Sequence, residues 1–258
     1  MAAGSAPARA KSLLIVFPGY ASDCSSTLRA FSPHLSGLQR LVVLCYAGQG
    51  IDDAQIFDLL APEMSATSAP VVKVLAGSMG GMVASRFLAR LAESAVGHPY
   101  DRLELILDTA PSSKIDVKRP SWLFDISTWY RGGIVSSMVW AAVSAFSPKP
   151  SPEPGADVTA IREGDRANMW IGTSTTTSQA AYINSFDTSQ VRRMPEIVDS
   201  SIYLVAENPD RDPLVKTDQA VTEWRKLLPD LAVRVVEGRQ GTWHIPWVYR
   251  PLEVLRMV

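Results

Sequence analysis

Along the chain, short apolar runs alternate with stretches whose apolar residues return at helical spacing. The runs cover residues 13–17, 41–45, 71–75, 103–107, 202–205 and 233–236. β-Branched and aliphatic side chains fill most of them almost without interruption. A strand with one wet face would instead alternate apolar and polar positions, so continuous runs predict a parallel sheet covered on both faces. Between the runs, helices are predicted over 54–64, 82–92 and 217–228. This alternation implies a doubly wound, mostly parallel α/β sheet.

One connection breaks the rhythm. No further core strand is predicted between residues 111 and 200, and Pro148, Pro150, Pro152 and Pro154 stand at alternate positions inside that stretch. Prolines so spaced cannot continue a helix, because each removes a backbone donor and clashes with the preceding turn. The stretch also holds Trp122, Trp129, Trp140 and Trp170, four of the chain's seven tryptophans. The expectation is a helical cap over 113–199, in two parts, set into a core formed by 12–112 and 200–258. The cap is expected to cover the site with an apolar wall of Trp and Met side chains. The polar run 173–179 reads as a loop or a helix start.

Length and composition narrow the class. A chain of 258 residues suits one domain with an insertion. With 47% hydrophobic and 20% charged residues it has the balance of a globular protein rather than a disordered one. The net charge of −1 provides no field for nucleic acid or acidic lipid, so neither partner is expected. Lys114, Lys118 and Arg119 read as a solvated loop. The first apolar run is too short for a signal-peptide core, and the longest largely apolar stretch, 134–146, is below spanning length. These features favour a cytoplasmic location. Cys24 and Cys45 are too few for a disulfide framework and read as free thiols, although both follow strand ends and could be neighbours.

The segment Ala76-Gly77-Ser78-Met79-Gly80-Gly81 carries the chemistry. A predicted strand precedes it and a predicted helix follows, so Ser78 sits on a tight turn made of small residues. Glycines there allow close backbone approach and unusual φ/ψ values. Such a turn lifts the serine hydroxyl above the sheet edge. It also places the N–H of Met79 at a helix N-terminus, where it can stabilise a developing oxyanion. In this context the chain resembles the α/β-hydrolase superfamily, whose nucleophile elbow reads G-x-S-x-G between strand and helix. Ala76 replaces the first glycine. The resemblance spans the core and leaves the cap unidentified.

That resemblance implies further roles. After the first strand comes Phe17-Pro18-Gly19-Tyr20, where the superfamily usually has a His-Gly pair. Pro18 replaces the histidine, and the N–H of Tyr20 is the implied second oxyanion donor, beside that of Met79. Ser78 needs a base. Among three histidines, His34 and His98 read as structural or solvent-facing, whereas His244 follows the last predicted strand, where the superfamily carries its catalytic histidine. The acid is expected after the run 202–205. Asp212 is preferred, because Asp212-Pro213-Leu214-Val215 resembles the superfamily's pattern at that place. Asp210 is the alternative, being nearer the strand end, and Glu207 and Asp108 stay open.

These residues predict a serine enzyme that hydrolyses a carboxylic ester or thioester of a hydrophobic small molecule through an acyl-enzyme. An acyltransferase using the same serine, or a non-catalytic binding protein of hydrolase fold, are the alternatives. No metal, nucleotide or other cofactor motif occurs, so none is expected. The sequence leaves the oligomeric state open.

Overall fold

A computed structural model of the chain describes residues 10–46, 50–94, 99–118, 149–169, 173–239, 244–245 and 247–258. The strands are β1 (Ser12–Phe17), β2 (Gln39–Val43), β3 (Val71–Gly77), β4 (Arg102–Asp108), β5 (Ser200–Ala206) and β6 (Ala232–Val236). They form one sheet in the order β2-β1-β3-β4-β5-β6, and every pair is parallel. Five of the six apolar runs of the sequence therefore lie wholly on strands of this sheet, and the run 41–45 overlaps β2, which ends at Val43.

The continuous apolar character has a direct cause. Alternate residues of a strand point to opposite faces, and here both faces are covered. Leu13, Ile15 and Phe17 join one core with Val72, Val74, Leu105 and Tyr203. Leu14 and Val16 join the other with Val43, Leu75, Ile106 and Leu204. The helices α1 (Cys24–Phe31), α2 (Asp53–Ser65) and α3 (Met79–Glu93) alternate with the first strands. Ile56, Leu60 and Met64 of α2 and Met82, Phe87 and Leu91 of α3 enter the first core, while Ala30 and Phe31 of α1 enter the second. The last strand departs from expectation. β6 is the outer strand of the described sheet, and only Val236 of its five residues is buried.

Between β4 and β5 lie α4 (Val158–Met169) and α5 (Thr173–Ser185), and no strand of the sheet occurs among the described residues there. The polar run 173–179 is the start of α5. Trp122, Trp129, Trp140 and Trp170, the expected apolar wall, lie outside the described residues. After β5 come α6 (Thr217–Leu227) and α7 (Pro251–Leu255). Trp224 of α6 is fully buried and donates its indole N–H to the carbonyl of Ala110 at 2.9 Å. The Tyr203 hydroxyl donates to the same oxygen at 2.9 Å. No helix among the described residues is long and apolar enough to cross a membrane.

The cysteines correct the sequence reading: Cys24 and Cys45 form a disulfide, with Cα atoms 5.3 Å apart. Parallel pairing of β1 and β2 carries both chains to the same sheet edge, and the N–H of Leu44 still donates to the carbonyl of Val16 at 2.9 Å. Cys45 follows at once, and the first residue of α1 is Cys24. A bridge between residues 21 apart in sequence removes loop entropy worth about 3 kcal/mol from the unfolded chain. Thiol titration of the denatured, unreduced protein is therefore expected to find no free cysteine. Reduction, or the Cys24→Ser/Cys45→Ser double substitution, should lower unfolding free energy by about 3 kcal/mol in a urea titration. Two titratable thiols in freshly purified protein would contradict this.

Candidate active site

The strand order changes direction at β1: β2 lies on one side of it and β3 on the other. In open parallel sheets such a switch leaves a crevice at the carboxyl ends of the strands, where ligands bind. The segments leaving β1 and β3 meet there. Ser78 lies between the end of β3 at Gly77 and the start of α3 at Met79, with φ 50° and ψ −125°. A non-glycine residue held at positive φ is strained, and its surroundings must hold it there. The Ser78 N–H donates to the carbonyl of Asp108 at 3.0 Å, and the Gly81 N–H donates to the carbonyl of Ser78 at 2.9 Å.

Sterics demand the small residues around it. A Cβ on Gly80 would run into the backbone carbonyls of Phe17 and Pro18, which cannot yield without disturbing β1. One on Gly81 would strike the Cβ of Ala110. A Cβ on Gly19 would come within 3.2 Å of the Ser78 Cβ, so the segment bearing Tyr20 passes directly against the serine. Met79 opens α3, and its N–H therefore has no acceptor in the helix ladder. The helix begins earlier than the hydrophobic pattern suggests, because both glycines belong to its first turn.

Tyr20 is anchored from α5. Its hydroxyl donates to the carbonyl of Thr176 on α5 at 3.3 Å, and the neighbouring Ala21 N–H donates to Gln179 Oε1 at 2.9 Å. Burial pushes the Tyr20 phenol up to about 12, which keeps it protonated at neutral pH. From the other side, the Tyr46 hydroxyl donates to the carbonyl of Pro18 at 2.9 Å.

The structure brings His244 and Asp212 together. Nδ1 of His244 lies 2.8 Å from Oδ2 and 3.1 Å from Oδ1 of Asp212. Asp212 is buried, and its Oδ1 also accepts the N–H groups of Leu214 and Val215 at 2.8 and 2.7 Å. Burial pushes its carboxyl up, but the adjacent imidazole and the two amides outweigh that and hold it below the usual carboxylate range. Asp210 is exposed, and Glu207 accepts the N–H of Gly238. Asp108 does not touch His244, because its two oxygens are occupied by Arg239 and Trp247. His34 is half-buried in a short turn between α1 and β2, and His98 lies outside the described residues.

The carbonyl of His244 accepts from Thr109 Oγ1 at 3.2 Å. Its Nε2 is buried and has no hydrogen-bond partner, so the Ser78–His244 hydrogen bond is not formed here. Such bonds are often long before substrate binds and tighten in the reacting complex. Among the described residues no cluster of three metal-ligating side chains occurs.

Two features escaped the sequence. Lys118 is not a free solvated cation. Its ammonium donates to the carbonyls of Asp210 and Asp212 at 2.7 and 2.8 Å, bracing the turn that presents Asp212. The bridge between Val117 and Val215 joins the same two segments. The second is the buried network in which Asp108 meets Arg239, Glu253 and Trp247, more than a hundred residues further along the chain. No local sequence signal distinguishes Arg239 from a surface arginine.

No protein-family model matches the sequence, and no curated protein does. Solved structures do resemble it. An enol-lactonase from Burkholderia xenovorans superposes with a TM-score of 0.66 at 13% identity, over 100% of this chain and 94% of that one. A structure from a study of carboxylesterases of Nitrososphaera gargenis gives 0.65 at 12% identity, over 100% and 91%. An esterase from Exiguobacterium antarcticum gives 0.63 at 12%, over 99% and 93%. At such identities the likeness is one of fold.

The depressed carboxyl of Asp212 has a consequence for stability. A group whose folded pKa lies below its unfolded value stabilises the fold fully above the unfolded value, about 3.9 for Asp, and loses that contribution as pH falls through the folded value. Asp212→Asn should therefore remove part of the acid sensitivity below about pH 4. Urea midpoints of both proteins between about pH 2.5 and pH 7 check this; parallel curves would refute it.

Proposed function

We propose that this chain, which has the α/β-hydrolase fold, is a serine hydrolase. Its substrate is a carboxylic ester or thioester of a hydrophobic small molecule, cleaved through an acyl-enzyme. One observation carries the reading. The contact of half-buried His244 with buried Asp212 occupies Nδ1 and leaves a buried, unpartnered Nε2, on the sheet edge where the elbow holds Ser78.

In this reading Ser78 Oγ attacks the carbonyl carbon while His244 Nε2 takes its proton. Asp212 holds the imidazole with Nδ1 protonated and stabilises the imidazolium that forms. Negative charge gathers on the former carbonyl oxygen, and the N–H groups of Tyr20 and Met79 receive it. Oriented donors in a site with little water stabilise such charge without reorganising. The tetrahedral species collapses, and His244 returns the proton to the departing alcohol or thiol. Water, deprotonated by His244, then attacks the acyl-serine and repeats the sequence, releasing the acid and free Ser78.

The balanced charge of the chain supports a small-molecule substrate rather than a nucleic acid or a membrane surface. For the compartment, the Cys24–Cys45 bridge favours an oxidising environment over the cytoplasm that the sequence alone suggests. The preference for a hydrophobic substrate rests on the tryptophans of the insertion, as read from sequence.

Wild-type protein is expected to hydrolyse p-nitrophenyl esters and to be labelled at Ser78 by a fluorophosphonate. Ser78→Ala and His244→Ala should each lose on the order of 10⁴-fold or more in kcat, and the double variant should lose little beyond that, because the members act as a unit. Asp212→Asn should lose less than Ser78→Ala, since the base remains. Wild-type turnover by Ser78→Ala would rule out the mechanism.

A further inference from the structure

The catalytic reading does not use the buried Asp108, although it stands between both reacting groups. Its carboxylate is fully buried at the end of β4. Oδ1 accepts from Arg239 Nη1 at 2.6 Å, and Oδ2 accepts from Trp247 Nε1 at 2.7 Å. Arg239 precedes His244 in the chain and Trp247 follows it, so one carboxylate binds a residue on either side of the histidine. Arg239 is itself fully buried and held by Glu253 Oε1 at 2.8 Å, and its carbonyl accepts the N–H of Glu207 at 2.8 Å. Trp247 packs on Phe31 with ring centroids 5.9 Å apart and fills the space beside Gly77.

The same short stretch of backbone reaches the nucleophile. The Asp108 carbonyl accepts the N–H of Ser78 at 3.0 Å, and the next side chain, Thr109, donates to the carbonyl of His244 at 3.2 Å. Thr109 is held at φ 47°, a strained value for a β-branched residue. The carbonyl of Ala110 beyond it is pinned by Tyr203 and Trp224. Strain kept in place by buried hydrogen bonds is typical of segments that fix functional geometry.

We propose that Asp108 is a positioning residue. Its backbone fixes Ser78 and its carboxylate fixes the His244 segment on both sides, so nucleophile and base are registered from one rigid point. This inference rests on the serine-hydrolase reading for its catalytic consequence, though not for the clamp itself. The chemistry requires a carboxylate. Both partners are donors, so the site needs two acceptors. An asparagine has one acceptor, and its amide N–H₂ would face a donor.

Kinetics, stability and amide exchange of four variants test this. Trp247→Phe removes one donor and keeps an aromatic ring. It should remain folded and lose about tenfold to a hundredfold in kcat with little change in KM, as misplacement of a catalytic group does. Asp108→Asn should lose at least as much. The double variant Asp108→Asn/Trp247→Phe should recover part of the loss, because the amide then meets only Arg239, a non-additivity expected of contacting groups. Leu60→Ala, a cavity in the α2 core that touches none of the clamp's hydrogen bonds, should destabilise the fold and leave kcat unchanged. Hydrogen exchange at the amides of His244 and Ile245 needs no turnover and should speed up in Trp247→Phe but not in Leu60→Ala. Should Asp108→Asn fail to fold, Trp247→Phe decides. Wild-type kcat and wild-type exchange in folded Trp247→Phe would overturn the proposal. A wild-type protein inert to esters and fluorophosphonate would instead remove the hydrolase reading, leaving exchange to judge the clamp.

Discussion

Parallel pairing of β1 with β3, and of β3 with β4, is the constraint on which the rest of the molecule depends. Strands that run the same way end on the same edge, so the segments leaving β1, β3, β4, β5 and β6 are delivered to one side of the sheet. Tyr20, Ser78, Asp212 and His244 each lie on one of those segments, and Asp108 ends β4 beside them. The close approach that follows is severe. Gly80 packs on the backbone where β1 ends, Gly81 packs on Ala110, and Gly19 packs on Ser78. The small residues of the elbow are thus consequences of strand spacing as much as of chemistry.

Apolar packing alone would leave those segments free to slide, because dispersion and hydrophobic burial have little directional preference. Direction is supplied by buried polar contacts. Asp212 is fixed by two amides and by His244, and its turn is braced by Lys118. Asp108 and Arg239, both fully buried, form an ion pair of a kind that adds little net stability once desolvation is counted, yet is damaging to break on one side. Its use here is geometric. From α5, Thr176 and Gln179 reach across to Tyr20 and Ala21, so that helix helps to hold the segment that passes against Ser78.

Much of this was legible beforehand. Each of the six runs marks a strand, since strands covered on both faces, as β1 and β3 to β5 are, show few polar positions. The elbow was legible because strand, small-residue turn and helix are contiguous. Which carboxylate meets His244 was less so. Asp210 and Asp212 are neighbours in composition and spacing, and only the short turn Pro209–Arg211 sends one to solvent and the other to the imidazole. β6 misled, because an apolar run reads as buried although the outer strand of a sheet is not. The cysteines misled too, since their pairing depends on two strand ends becoming neighbours.

What the sequence determined by itself is therefore local: periodicity, turn chemistry and the order in which Ser78, Asp212 and His244 appear. These follow from forces acting between residues a few positions apart, which composition and spacing record directly. Tertiary structure alone decided which carboxylate meets His244, that Cys24 meets Cys45, and that Asp108, Arg239 and Trp247 share one buried site. Those choices are contacts between distant segments. They depend on angstrom-scale placement and on how each buried charge finds its partner, and a one-dimensional pattern does not encode either.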